Sequence, residues 1–208
     1  MNKIKITYGI TVCNEIEEIK KLLSFLREHK RMEDEILILM DKDGKTKEVE
    51  DYVKRQGVRY FEHPLNNDFA QFKNQLIEKA EGDYLFQIDA DELPSPTLVE
   101  NLHSVLELNP KRILYAVPRV NTVEGLTQEH IRKWRWRVDV SGYVNYPDYQ
   151  LRIFKLGEGI KWRGNVHEVP GKEGVEVTPL PSEYGEWALF HPKTIERQEK
   201  QNEMYSKM

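Results

Sequence analysis

Two acidic side chains lie one residue apart directly after an apolar segment of this sequence. Residues 84–88 (YLFQI) predict a buried strand, and Asp89 and Asp91 follow it. In open α/β folds, ligands bind beyond the carboxyl ends of the strands. Two like charges this close repel each other unless a cation neutralises them, and carboxylate oxygens suit Mg²⁺ or Mn²⁺. We therefore expect this pair to hold one of these metals together with a diphosphate.

The first half of the chain alternates predicted strands with predicted helices. Residues 3–12 alternate in polarity, residues 35–40 form a continuous apolar run, and residues 58–61 and 84–88 predict two further strands. Apolar residues at helical spacing fill the segments between them, and Asn14 is expected to cap the first helix. Strands and helices in this order predict an α/β fold with a mostly parallel, doubly wound sheet.

The second half has a different character. Residues 113–120 and 149–155 predict strands, an aromatic stretch from Trp134 to Tyr149 separates them, and the polar segment 194–208 predicts a helix. No linker-like stretch divides the chain, so we expect this half to form strands and loops that cover the same sheet.

Composition excludes several classes of protein. The 208 residues carry a formal net charge of −4, which argues against a nucleic-acid-binding protein with a basic face. No segment approaches the about 20 apolar residues of a membrane span, and the N-terminus lacks an apolar signal region. The single cysteine, Cys13, fits a reducing compartment. We expect a cytoplasmic protein, and the sequence indicates nothing about its oligomeric state.

The sequence also lacks the glycine-rich loops that commonly bind phosphates. Neither G-x-G-x-x-G after the first strand nor G-x-x-x-x-G-K-[ST] occurs. A bound nucleotide would therefore need another source of positive charge, and a metal at Asp89 and Asp91 is the expected one. Asp41, at the end of the second predicted strand, lies on the same rim of the sheet and could accept hydrogen bonds from a base or ribose.

Several short motifs follow one another as they do in family 2 glycosyltransferases with a GT-A fold. The chain resembles this family over roughly residues 4–195. The matching segments are TVCNE at 11–15, Asp41, NDFA at 67–70, Lys73 with Asn74, GD at 82–83, DADE at 89–92, RIF at 152–154, WRGNVHE at 162–168 and FHPK at 190–193.

The resemblance implies metal-dependent transfer of a hexose from a nucleotide diphosphate-sugar to a hydroxyl of a glycan or lipid-linked acceptor. We expect a UDP- or GDP-linked donor, and a deoxythymidine-linked sugar also fits. Inversion at the anomeric carbon is implied as well. The whole chain, 1–208, would be a single GT-A domain. Residues 1–110 would form its nucleotide-sugar-binding half, residues 111–192 its acceptor-binding half and residues 193–208 a helical tail.

The resemblance also assigns roles by position. Asp91 would bind the metal directly, Asp89 would reach the metal, its water or the donor, and His191 would complete the metal's coordination. Lys193 would meet the β-phosphate. The remaining residues expected to bind the nucleotide-sugar are Thr11, Asn14, Glu15, Asp41, Lys73 and Asn74.

An inverting transfer needs a base that takes the proton of the acceptor hydroxyl. Glu168 lies where the family carries this base, although the family more often reads Glu-Asp where this chain has His167 and Glu168. Asp148 is a second candidate base. The residues expected to bind the acceptor are Trp134, Trp136, Arg152 and His167.

Simpler interpretations exist for several of these residues. The acidic pair could belong to a solvated loop, Asn14 could only cap a helix, and the tryptophans could be core residues. The positively charged residues beside Trp134 and Trp136 could form the solvent-exposed face of an alternating strand. Two rival functions remain, a nucleotidyltransferase and a non-catalytic nucleotide-sugar-binding module. A nucleotidyltransferase is expected to have a basic glycine-rich loop after the first strand.

Overall fold

The computed structural model describes residues 3–164 and 168–205 of the chain. The helices are α1 (Ile16–His29), α2 (Lys47–Lys54), α3 (Phe69–Lys79), α4 (Pro96–Leu108), α5 (Gln128–Trp134) and α6 (Ile195–Tyr205). The strands are β1 (Ile6–Val12), β2 (Glu35–Asp41), β3 (Arg59–His63), β4 (Tyr84–Asp89), β5 (Leu93–Pro94), β6 (Leu114–Glu124), β7 (Val144–Lys155), β8 (Lys161–Arg163), β9 (Val169–Gly171), β10 (Thr178–Pro179) and β11 (Leu189–Thr194).

A central sheet of nine strands organises the molecule, in the order β3-β2-β1-β4-β7-β6-β11-β5 with β10 paired to β6. Strands β1 to β4 run parallel to one another, whereas β7 runs antiparallel to both β4 and β6. Strand β11 is parallel to β6, and β8 and β9 form a separate ladder. The predicted α/β class with a mostly parallel sheet is confirmed.

Both faces of the sheet are covered, which explains the continuous apolar run in β2. Because successive side chains of a strand point to opposite faces, Ile38 and Met40 join the core beneath α1, α2 and α4. Leu37 and Leu39 join a second core with α3 and the buried Trp162. Helices on both sides are the feature that makes the sheet doubly wound.

The helix starts mostly follow the sequence, with one exception. Thr46, Asp68 and Ser95 each accept a hydrogen bond from a backbone N–H of the following turn. The predicted Asn14 cap is wrong, because α1 begins after Glu15 and has no side-chain cap. Glu15 instead folds back and accepts from the backbone N–H groups of Cys13 and Asn14.

The segment around the tryptophans is not an alternating strand. Its first part is helix α5, which ends at Arg135 in a left-handed conformation with φ of 56°. The predicted strands of this half are longer than expected, since β6 reaches Glu124 and β7 begins at Val144. The polar tail is helical over α6. Within the described ranges, none of the helices has the length and apolar character that crossing a membrane requires.

The order in which successive strands are added to the sheet reverses at β1. Strands β2 and β3 extend the sheet on one side of β1, and β4 adds on the other side. Such a switch point leaves a crevice at the carboxyl ends of the two central strands. There Thr11 of β1 and Asp89 of β4 are partners in register.

Candidate active site

Asp89 is held by cationic and hydroxyl groups at this switch point. Its Oδ1 accepts from Thr11 Oγ1 at 2.7 Å and lies 3.1 Å from Lys73 Nζ, and its Oδ2 lies 2.7 Å from Arg152 Nη2. Burial alone would raise the pKa of Asp89, but Arg152 and Lys73 hold it well below the usual range. Asp89 is therefore ionised and already neutralised by protein groups.

These contacts continue on both sides as an alternating charge chain of seven residues. On one side Arg152 also meets Glu92 at 2.8 Å, and Glu92 meets Arg119 at 3.1 Å. Arg119 in turn lies 2.7 Å from Asp148. In the order of their contacts, the seven residues are Glu168, Lys73, Asp89, Arg152, Glu92, Arg119 and Asp148.

Asp91 faces a different group. Its Oδ2 lies 3.2 Å from Nε2 of His191, a residue 100 positions away that β11 brings to the end of β4. The other ring nitrogen of His191 lies 2.8 Å from Asn121 Oδ1, and this contact holds the ring with Nε2 facing Asp91. Burial opposes ionisation of Asp91, yet His191 and then Arg197 lower its pKa to about 2.

The two candidate bases have unequal surroundings. Asp148 accepts from Arg119 through two nitrogens, from Asn121 and from Gln150. Burial would raise its pKa, but Arg119 and these hydrogen bonds lower it, so Asp148 is a weak base. Glu168, with 14% of its side chain exposed, lies 2.7 Å from Lys73 Nζ.

Four of the residues predicted to bind the nucleotide-sugar lie near the ends of β1 and β2, namely Thr11, Asn14, Glu15 and Asp41. Asp41 accepts hydrogen bonds from the backbone N–H groups of Asp43 and Leu65, which fixes the loops after β2 and β3. Asn14 is exposed, whereas Glu15 is half-buried and holds the loop after β1.

Two predicted contacts are not supported by the structure. Arg152, predicted to bind the acceptor, is only 4% exposed and lies beneath Asp89 and Glu92, where an acceptor cannot reach it. Asn74, predicted to bind the donor, uses both ends of its amide on the backbone of Trp162. The side chains of both residues are thus engaged by other parts of the protein. The predicted acceptor contact His167 lies outside the described residues.

The tryptophans are surface residues rather than core. Trp134 and Trp136 are half-buried, with ring centroids 4.7 Å apart, and His130 stacks on Trp134 at 5.1 Å.

Lys193, at the end of β11, donates to Gln201 in α6. Burial lowers the pKa of Lys193 to about 8.

Comparison with known proteins identifies the family of this chain. A sequence profile described as "Glycosyl transferase family 2" matches residues 7–171. This chain belongs to glycosyl transferase family 2. It is similar to the SPbeta prophage-derived glycosyltransferase SunS of Bacillus subtilis (strain 168), with 29% identity over 167 residues. The match covers 79% of this chain and 34% of SunS, and the SunS of Bacillus phage SPbeta matches equally. The family 2 chain thus spans about a third of the length of these relatives.

Two solved structures show weaker likeness to the family 2 chain. One is the mannosyltransferase PcManGT from Pyrobaculum calidifontis in complex with GDP-Man and Mn²⁺, with a TM-score of 0.47 and 18% identity over 57% of this chain and 36% of that chain. The other is glucosyl-3-phosphoglycerate synthase from Mycobacterium tuberculosis with Mn²⁺, UDP and phosphoglyceric acid. Its TM-score is 0.46 and its identity 19%, over 59% of this chain and 44% of that chain.

The donor set of the family 2 chain suits a metal that also binds substrate. Within residues 3–164 and 168–205, no three His, Cys, Asp or Glu side chains come together to form a metal site. Asp91 and His191 could supply two ligands, and Asn121 holds the imidazole in the way that a supporting partner of a metal-binding histidine does. Mg²⁺ is usually bound through one or two carboxylates plus substrate phosphates and water, so this pair fits.

Some residues of the site were not predicted from the sequence. Arg119 and Asn121 are two apart on β6, so both side chains reach the same face and meet Asp148. That spacing is a signal that could have pointed to them. Glu92 and Arg197 gave no comparable signal, because their partners lie far away in the sequence.

Proposed function

We propose that this chain transfers a hexose from a nucleotide diphosphate-sugar to an acceptor hydroxyl, with a divalent cation bound by Asp91 and His191. The observation that carries the proposal is the 3.2 Å contact between these two side chains at the carboxyl end of β4. Membership of glycosyl transferase family 2 supports the reaction class.

The donor's diphosphate would lie against Asp91 and His191, with Lys193 as an additional cation close by. The half-buried Lys193 follows His191 by two residues and can pair with a phosphate oxygen. When bound, Mg²⁺ or Mn²⁺ supplies Lewis-acid stabilisation of the charge on the departing diphosphate. We propose Asp91, not Asp89, as the carboxylate ligand, because Arg152, Lys73 and Thr11 already engage both Asp89 oxygens.

The nucleoside would occupy the crevice beside the carboxyl ends of β1 and β2. Thr11, Asn14, Glu15 and Asp41 lie at these ends, and we propose a UDP- or GDP-linked donor there. In this arrangement Asp89 and Lys73 set the floor of the donor site rather than hold the metal. We further propose that residues 1–208 form a single domain, in which residues 1–110 are the donor-binding half, residues 111–192 the acceptor-binding half and residues 193–208 a helical tail.

Glu168 would act as the base. As the acceptor oxygen forms a bond to the anomeric carbon, the bond from that carbon to the diphosphate oxygen breaks, and the hydroxyl proton passes to the Glu168 carboxylate. A base opposite the leaving group gives inversion. Asp148 is the weaker candidate, since Arg119 and two amides engage it and lower its pKa.

The acceptor would bind beside the tryptophans. The half-buried rings of Trp134 and Trp136 offer apolar faces of the kind on which sugars stack. We propose a glycan or lipid-linked sugar as acceptor, with His167 as a further contact. We place the reaction in the cytoplasm, in line with the free thiol of Cys13.

The test is a panel of UDP- and GDP-sugars with Mn²⁺ or Mg²⁺, scored for released nucleoside diphosphate. Asp91→Ala should abolish release, whereas Asp51→Ala, which removes an acid from the exposed side of α2, should leave it unchanged. Release of sugar 1-phosphate instead would indicate a nucleotidyltransferase, because the nucleoside monophosphate would then be the group transferred. Donor binding without any turnover across the panel would indicate a binding module.

A further inference from the structure

The guanidinium of Arg197, on helix α6, lies among three carboxylates. Its Nη2 is 3.2 Å from Asp91 Oδ2 and 3.8 Å from Glu15 Oε1, and its Nη1 is 3.0 Å from Glu18 Oε1. Asp91 is one of the two metal ligands proposed above, and the other two acids lie at the start of α1. A residue from the C-terminal helix thus reaches into the proposed metal site.

Arg197 and His191 contact the same oxygen of Asp91. Both His191 Nε2 and Arg197 Nη2 lie 3.2 Å from Oδ2. A divalent ion bound to that oxygen would stand about 2.1 Å from it. The guanidinium cannot keep its contact with the same oxygen next to such an ion, because the two positive charges would repel each other.

We propose that Arg197 is the resident counter-cation of the metal site, and that a divalent ion binds only when Arg197 leaves Asp91. This inference rests on the proposed function in one respect, the identity of the metal ligands. Glu18 lies on α1 and can retain the guanidinium after release. A cavity of about 600 Å³, lined in part by Glu18, Lys193 and Arg197, gives the side chain room to turn.

Helix α6 takes part in the exchange because it carries Arg197 and follows β11 directly. Other contacts hold this helix as well, among them Lys193 with Gln201 and His130 with Glu199 at 3.7 Å. Release of Arg197 therefore removes one of several attachments of α6 and leaves the rest in place. Because Arg197 competes with the metal ion for Asp91, the chain should bind the ion more weakly than the same ligands would without Arg197.

The experiment is a Mn²⁺ titration of the nucleotide-free chain, followed by the electron paramagnetic resonance signal of free Mn²⁺. Arg197→Ala should bind Mn²⁺ about threefold or more tightly than the unaltered chain, because the ion no longer competes with the guanidinium. Arg197→Lys, which keeps a positive charge, should fall closer to the unaltered chain. Arg55→Ala is the matched control, since it removes the same charge from an exposed position on the end of α2.

A further variant separates failure of this inference from failure of the proposed function. Asp91→Ala should abolish tight Mn²⁺ binding in the presence and in the absence of Arg197. If Asp91→Ala abolishes binding but Arg197→Ala leaves the affinity unchanged or weakens it, the counter-cation role is wrong and the metal site stands. If Asp91→Ala has no effect, the metal site itself is wrong, and this inference falls with it.

Discussion

Asp89 and Asp91 are separated by one residue, yet their carboxylates contact different sets of charged groups. The negative charge of Asp89 is neutralised by Arg152 and Lys73, whose side chains are both buried. Asp91 faces His191 from another strand of the sheet and has no contact with either of these two cations among the described residues. One carboxylate thus supports the interior of the site, and the other is paired with His191 and with Arg197, which a ligand could displace.

This difference predicts losses of stability of unequal size. Asp89→Ala should lower the free energy of unfolding by about 2–4 kcal/mol, because Arg152 and Lys73 would each lose one of two counter-charges in a buried setting. Asp91→Ala should change it by less than about 1 kcal/mol, as is typical of partly exposed ion pairs. Urea unfolding of the two variants measures both values. Equal losses in the free energy of unfolding would contradict the different roles given to the two aspartates.

The sequence predicted the part of this arrangement that depends on local patterns. Alternation and continuous apolar runs located β1, β2 and β4, and the helix order then placed the ends of these strands on one rim. The position of Asp89 and Asp91 follows from that rim alone. Register, by contrast, is a property of two strands together, so the pairing of Thr11 with Asp89 became visible only in the structure.

Long-range electrostatics could not be predicted from residue types. An arginine within a predicted strand is normally interpreted as a surface or ligand-binding residue, because isolated buried charges are rare. Arg152 is buried nonetheless, since Asp89, 63 positions away, and Glu92, 60 positions away, neutralise it. Asn14 illustrates a local error: its side chain suits a helix cap, but Glu15 folds back onto the same loop and fixes it instead.

The assignment of the base predicts a selective loss of turnover. Glu168→Gln should lower kcat by about a hundredfold or more, since general-base catalysis is typically of that size, and should leave donor affinity within a factor of about two. Donor affinity is preserved because Asp91, His191 and Lys193 do not depend on this carboxylate. Steady-state kinetics and donor titration provide the two measurements. Turnover at the normal rate would remove Glu168 from the mechanism and make Asp148 the next candidate.

The proposed acceptor surface predicts a loss confined to acceptor binding. Replacing Trp134 and Trp136 together by Ala should raise KM for the acceptor, with KM for the donor unchanged, because the rings lie on α5 and the segment after it. Stability should fall little, since both rings are half-exposed. Kinetics with each substrate varied in turn measure the two constants. A rise in the donor constant of similar size would place the tryptophans in the donor site instead.

The thiol of Cys13 gives a prediction about pH. Burial, with smaller contributions from Glu15 and Asp41, raises its pKa to about 11. A raised pKa keeps the thiol protonated, so at pH 8 only about one molecule in a thousand carries the reactive thiolate. The rate of alkylation by iodoacetamide should therefore rise about tenfold per pH unit from pH 7.5 to 9.5 in the folded chain. The urea-unfolded chain is the control, and its rate should level off above about pH 8.5. If the folded chain levels off at the same pH, the surroundings of Cys13 do not suppress its ionisation, and the loop that Glu15 holds after β1 is more open than its contacts indicate.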